Sequence, residues 1–399
     1  MSYSGVSFEN TEKAFIAKDN QELKHSLWLF KLMGNSALVK VFSRLIIFAI
    51  KIGLPVRLPI KLTIFKQFCG GESIEESKNV VYKLNVSNIG SILDYSVEGK
   101  ESEKDFCDTK DEILRIIKVA EDNPAIPYTS LKLTGIARLA LLEKLNSKQQ
   151  LNVEEEIEFQ KVKGRLVEIC NSASSSAVPI YFDAEESWIQ NAIDTVAEEM
   201  MEMHNKKTAI VLTTLQMYRW DRIEYLKGLI QKARDKNFSI GIKLVRGAYM
   251  EKENLRASQL GYRSPIQSNK ENTDRDFDKA VDICLENIDI VTLCAGTHNE
   301  ASTMHLVNKM GELKIPNDHP HVYFSQLYGM SDHITYNLAD AGYNVTKYLP
   351  YGPVKSVMPY LIRRAEENTG ISGQMGRELR LIVEEKNRRQ SSKLLSAGK

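Results

Sequence analysis

Residues 208–247 read TAIVLTTLQMYRWDRIEYLKGLIQKARDKNFSIGIKLVRG. The stretch opens on an apolar, β-prone run, TAIVLTTLQ, and closes on another, IGIKLVRG. Between them WDRIEYLKGLIQKARDK places its apolar residues at helical spacing, with charges on the opposite face. Strand, helix and strand in this order form a parallel unit, because the helix carries the chain back to the starting edge of the sheet. Reading outward, the same kind of run recurs as SILDYSV (91–97), SLKLTGI (130–136), VPIYFDA (178–184), DIVTLCAG (289–296), VYFSQLYG (322–329) and YNVTKYLP (343–350). Amphipathic segments such as ESWIQNAIDTVAEEMMEMH (186–204) separate most of them. Eight units over about 270 residues match a closed (β/α)8 barrel. An open doubly wound sheet would more naturally carry GxGxxG after its first strand, and no GxGxxG occurs in the chain.

Working further out, residues 1–85 read as a basic, amphipathic helical arm, 86–370 as the barrel and 371–399 as a C-terminal helical tail, QMGRELRLIVEEKNRRQSSKLL. Residues 23–71 hold no Asp or Glu and eight Lys or Arg. Such a segment either packs its apolar face on the barrel or lies on an anionic membrane surface. Its most apolar part, ALVKVFSRLIIFAIKIGLPV, is interrupted by Lys40, Arg44 and Lys51, so it is not expected to span a bilayer. The chain as a whole carries 53 Lys plus Arg against 52 Asp plus Glu, which gives no field to recruit nucleic acid. Five cysteines without a CxxC pair read as free thiols in a reducing compartment. The first residues lack the pattern of a secretory signal.

In a barrel, chemistry sits at the carboxyl ends of the strands. Those ends carry Lys132, Asp183, Gln216, Lys243 with Arg246, Thr297-His298-Asn299, Gln326-Leu327-Tyr328 and Tyr348. Each alone has a structural reading: a rim lysine, a carboxylate capping the next helix, a satisfied core histidine. Their recurrence at seven of eight strand ends is what suggests a site. The eighth run leads into TKYLPYGPVKSVMPYLIRRAEENTG (346–370), where a helix sets Tyr360, Arg363, Arg364 and Glu367 on one face. A solvated surface pair is the simpler reading of that face alone. Lying over the barrel mouth, however, adjacent guanidinium groups present paired donors to a carboxylate. Lys132 adds a third positive charge, and Tyr348, Tyr360 and Leu327 an apolar wall, which suits a small amino or carboxylic acid with a hydrocarbon ring or chain. Asp183 and Glu367 are then needed to compensate the cations.

These motifs together resemble the proline dehydrogenase (proline oxidase) family: LKLTG, YFDAEE, LQMY, KLVRGAY, GTHN, SQLYGM and YLPYGPVKSVMPYLIRRAEEN, in the family's order over roughly residues 90–370. The resemblance implies a distorted (β/α)8 barrel that holds FAD noncovalently and oxidises L-proline to Δ1-pyrroline-5-carboxylate, by hydride transfer from proline C5 to flavin N5. By motif, Arg363, Arg364 and Lys132 match residues that bind the substrate carboxylate, and Tyr348, Tyr360 and Leu327 those that pack on its ring. Asp183 matches a catalytic carboxylate, and Glu367 one that joins the arginine network. Gln216, Lys243, Val245, Arg246, Gly247, Ala248, Tyr249, Thr297, His298, Asn299, Gln326 and Leu327 fall where the family contacts FAD, and Glu367 is grouped with these cofactor positions.

Lys243 is the candidate cation beside flavin N5, where it would stabilise the charge of the reduced ring. Many bacterial members read Arg-Leu-Val-Lys in this strand, whereas KLVR here follows the eukaryotic pattern. The bulk of Tyr348 favours proline over 4-hydroxyproline. The family passes its electrons to a membrane quinone, which gives residues 23–71 a membrane role. A monofunctional form, without a fused aldehyde dehydrogenase, implies a separate pyrroline-5-carboxylate dehydrogenase. It also implies a cytoplasmic site peripheral to the inner membrane, or a mitochondrial one in a eukaryote. The competing readings are a methylenetetrahydrofolate reductase, which shares the barrel but needs no tandem arginines, and a barrel retained as a flavin-binding or membrane-associated scaffold.

Overall fold

The structure is a computed structural model that describes residues 5–34, 39, 41, 44–46, 52, 54–96, 99–370 and 374–397, with the side chains of 366–370, 374, 375, 393 and 395–397 outside the description. Eight strands close a barrel in sequence order. They are β1 (Ile89–Tyr95), β2 (Tyr128–Leu131), β3 (Ile180–Phe182), β4 (Val211–Gln216), β5 (Ile240–Val245), β6 (Val291–Gly296), β7 (Val322–Leu327) and β8 (Val345–Tyr351). All neighbours run parallel, and β1 closes on β8 from Ile89 opposite Val345 to Tyr95 opposite Tyr351. Each expected run overlaps a strand, although SLKLTGI contributes only Ser130 and Leu131 to β2, and Leu133–Gly135 forms a 3-10 turn. Strands in such a barrel are covered on both faces, so they read as near-continuous apolar runs rather than alternating ones.

Alternation within the strands nevertheless divides two cores. Side chains facing the outer helices, among them Ile180, Val211, Leu244 and Leu349, build the large cluster between barrel and helices. Inward-facing Ile92, Tyr128, Tyr181, Leu212, Cys294 and Tyr348 fill the barrel itself, with Tyr128 stacked on Tyr181 at 5.0 Å between ring centroids. Leu212 reaches so far across that a Cβ at Gly241 would lie 2.1 Å from its Cγ, so β5 carries glycine there. Side-chain caps start the outer helices, for example Asn152 with Glu155 in a capping box before Val153–Ser175, and Ser102 before Glu103–Glu121.

A third cluster lies over the mouth of the barrel. It joins Phe15, Leu29, Phe30, Phe65 and Phe68 of the N-terminal segment to Val357, Tyr360 and Leu361 of the helix Val354–Gly370, and to Leu381 and Ile382 of the helix Gln374–Ala397. The described part of the basic segment therefore packs its apolar face on the barrel's upper helices. It is not fully covered: Trp28, Leu58 and Leu62 remain more than half exposed, at 51%, 64% and 59%. No helix among the described residues is long and apolar enough to cross a membrane.

Candidate active site

Asp183, just beyond β3, is the centre of the polar floor of the barrel mouth. Its carboxylate pairs with Lys243 from β5, lies 3.0 Å from Lys132 Nζ beyond β2, and accepts from Tyr348 OH of β8 at 2.5 Å. Lys132 also reaches Asp94 of β1 at 3.2 Å and donates to the Tyr348 hydroxyl at 3.3 Å. Two cations, two carboxylates and a phenol from five strand ends thus form one buried network. Burial pushes the Asp183 carboxyl up, but the ammonium groups of Lys243 and Lys132 outweigh it and hold the carboxyl well below the usual carboxylate range. Burial and the Asp183 charge raise the Tyr348 hydroxyl far above its ordinary value, so it stays protonated. Lys243 Nζ lies 4.8 Å and 4.9 Å from the ring centroids of Tyr181 and Tyr348, which adds cation–π attraction inside a desolvated floor.

The expected cofactor positions gather on the far side, at the ends of β4 to β7. Gln216 donates to the Glu185 carbonyl at 2.7 Å and accepts from Ala248 N–H at 3.3 Å, which ties the Val245-Arg246-Gly247-Ala248-Tyr249 turn to β4. Gly247 has φ of 134°, and a Cβ there would meet the Tyr218 ring at 2.5 Å, so only glycine fits. Arg246 donates to Thr297 Oγ1 at 2.6 Å, to Ser302 Oγ at 2.9 Å and to Asp274 at 2.7 Å. Asn299 caps the helix Glu300–Glu312 through Ser302 N–H. His298 meets Ser331 Oγ at 2.9 Å; burial, and then the nearby cations Lys347 and Arg364, keep its ring well below the ordinary histidine value and so neutral. Gln326 donates to the Thr297 carbonyl at 3.2 Å and accepts from Thr335 at 2.8 Å.

Above this floor, the helix Val354–Gly370 carries Tyr360, Arg363 and Arg364. Tyr360 and Arg364 are buried, with the Arg364 guanidinium 5.1 Å from the Tyr360 ring centroid. Arg363 lies 5.5 Å from the ring of Tyr249, which bridges the arginine helix to the turn after β5. Leu327 packs against both the barrel interior and the mouth cluster. Glu367 falls outside the described side chains.

A family model described as proline dehydrogenase matches residues 77–377. The chain belongs to the proline dehydrogenase family. It is an oxidoreductase of that family. Proline dehydrogenase 1, mitochondrial, of Dictyostelium discoideum is 30% identical over 91% of this chain and 72% of its own. Hydroxyproline dehydrogenase of Xenopus laevis is 30% identical over 94% and 88%, and carbapenem antibiotics biosynthesis protein CarD of Pectobacterium carotovorum subsp. carotovorum is 33% identical over 81% and 83%. Among solved structures, proline utilization A from Bdellovibrio bacteriovorus, inactivated by N-propargylglycine, superposes with a TM-score of 0.69 at 22% identity, over 91% of this chain. The chain spans about a third of that protein's length, 36%, and the likeness carries the (β/α)8 fold.

Within this proline dehydrogenase barrel the structure also brings in residues that the strand-end reading passed over. Asp94, 1% exposed, closes the floor opposite Asp183. Glu185 accepts from Thr134 N–H at 3.0 Å and from its hydroxyl, and so anchors the turn after Lys132. Lys347 sits fully buried in β8, facing the helices. The signal for Asp94 and Lys347 was a single charge inside an apolar run, SILDYSV and YNVTKYLP, and that is available in the sequence.

Proposed function

We propose that the chain oxidises L-proline to Δ1-pyrroline-5-carboxylate, with FAD as its cofactor and a quinone as the electron acceptor. The observation that carries this reading is the Asp183–Lys132–Lys243–Tyr348 floor lying beneath a helix that offers two guanidinium groups, with Tyr348, Tyr360 and Leu327 as apolar walls. Arg363 and Arg364, with Lys132, would take the carboxylate, since paired forks match its oxygens. The ring would lie on Tyr348 and Leu327, and the bulk of Tyr348 favours proline over its 4-hydroxy analogue. Asp183 would hold the two lysines at fixed separation and keep Tyr348 protonated, so the floor is preorganised before substrate enters.

The residues present fit a flavin. Gln216 and Gln326 place amide groups on β4 and β7, and Lys243 supplies a buried cation. Gln216, Lys243, Arg246, Thr297, His298, Asn299 and Gln326 would hold it. FAD, when bound, supplies the acceptor for the hydride that leaves proline C5. The protein's own part is alignment, exclusion of water and placement of positive charge. The ring nitrogen's lone pair forms the new C=N bond as the hydride departs, so proline reacts with its nitrogen unprotonated.

For the electrons we propose a membrane quinone, reached by peripheral contact. The exposed Trp28, Leu58 and Leu62, in a stretch whose sequence holds eight Lys or Arg and no Asp or Glu, support such contact. The product would pass to a separate dehydrogenase. Turnover of L-proline with a soluble quinone, with the imine product trapped by an aromatic amino aldehyde, tests the reading. Formation of the trapped adduct supports it, and no product from flavin-loaded protein removes it.

A further inference from the structure

The buried lysine of β8 has no part in the chemistry above, yet it is fully buried among helices rather than at the floor. Its Nζ meets Asp332 Oδ1 at 2.9 Å, the Met330 carbonyl at 2.5 Å and the Leu327 carbonyl at 3.5 Å, which uses all three donors of an ammonium. The other oxygen of Asp332 takes Lys18 Nζ of the N-terminal segment at 2.9 Å. From Lys18 a chain of hydrogen bonds continues to Ser26 at 3.3 Å, on to Gln67 at 3.0 Å, and back to the Gly329 carbonyl at 2.7 Å. The N-terminal segment approaches so closely here that a Cβ at Gly329, with φ of 81°, would lie 2.0 Å from the Gln67 carbonyl oxygen.

Both ends of this loop of contacts close on the turn 327–331. That turn carries Leu327 on one side, and on the other Ser331, which meets His298 and is held through its N–H by Glu378. A buried ion pair extended by a half-buried lysine is a poor source of stability, because an apolar replacement of similar volume often does as well. What it supplies is a fixed geometry. Burial pushes the Asp332 carboxyl up, but Lys18 and Lys347 on either side hold it well below the carboxylate range, so Asp332 stays ionised at neutral pH.

We propose that Lys18, Asp332 and Lys347 form a positioning relay through which the N-terminal segment fixes the turn after β7, and with it Leu327, against the ring of the bound substrate. The kinetic part of this inference rests on the proposed proline oxidation; the clamping of the turn does not. Lys18 is the point to probe, since its removal leaves Asp332 still paired with Lys347 and keeps the barrel's buried charge compensated.

In flavin-loaded full-length protein, Lys18→Met raises the KM for proline about tenfold, equivalent to about 1.4 kcal/mol, with kcat within about twofold of the wild type. Lys18→Arg restores it. Hydrogen exchange at the amides of 328–331, measured without substrate, is faster in Lys18→Met and normal in Lys18→Arg. A wild-type exchange rate in Lys18→Met overturns the relay, and so does a fall in kcat/KM that merely tracks a lower melting temperature and is not rescued by arginine. Failure of the wild type to oxidise proline would remove the proposed reaction, while the exchange measurement still decides the clamp.

Discussion

At the scale of single residues, the floor of the mouth is an exercise in charge compensation. Lys132 and Lys243 converge on Asp183, and Asp94 takes the remaining reach of Lys132, so no ammonium in this group is buried alone. Under the proposed function, the arginines above take the carboxylate of the substrate. Arg363→Met and Arg364→Met each remove a charge-assisted contact of about 1.5–3 kcal/mol, so the KM for proline rises about 10- to 100-fold while bound flavin is retained. Steady-state kinetics with flavin content measured on the same samples check this, and unchanged proline kinetics in both variants would dismiss the clamp. The sequence displayed these arginines because a helix puts Tyr360, Arg363 and Arg364 on one face, Asp183 because it ends an apolar run, and Lys243 through its place in the KLVRGAY motif. Asp94 and Lys347 went unread for a physical reason: a lone charge within a strand has no local partner, and its compensation comes from strands distant in the chain.

Among the elements, those facing solvent on the outer ring were the most legible, since apolar runs and helical spacing survive without tertiary information. The N-terminal segment was not, because a basic amphipathic helix has one pattern whether its apolar face meets protein or lipid. The structure buries Phe30 and Phe68 at 1% and 0% exposure against protein and leaves Leu58 and Leu62 exposed. The C-terminal helix is tied down by Arg377, which pairs with Glu300 at 2.7 Å while Glu300 also accepts from His333 at 3.0 Å. Burial raises the Glu300 carboxyl, but His333 and Arg377 overcome this and bring it to about 2, from an ordinary 4.5. A folded value below the unfolded one stabilises fully above about pH 4.5, and that stabilisation is lost as the pH falls toward 2. With the carboxylate about a third exposed, screening leaves about 1–2 kcal/mol. Urea midpoints of wild type and Glu300→Gln should therefore differ at pH 6 and converge near pH 2; a constant difference would mean that the ion pair is not its source.

For the whole molecule, the polar end of the closed barrel lies under a cap made from both termini of the described chain, and that cap carries exposed apolar residues such as Trp28, Leu58 and Leu62. If the cap meets a bilayer, the protein co-sediments with anionic vesicles at low salt and is released by salt, because attraction between exposed charges is screened. Failure to bind in either flavin state would leave the N-terminal segment with packing alone. The proposed function requires a flavin and proline to meet at the Asp183 floor. Its most direct test is the visible spectrum of the purified, flavin-reconstituted protein under anaerobic conditions, before and after L-proline. Bleaching of the oxidised-flavin bands on adding proline is the expected result. Flavin that binds but stays oxidised would contradict proline as the substrate, and protein that takes up no flavin would contradict the site as a whole.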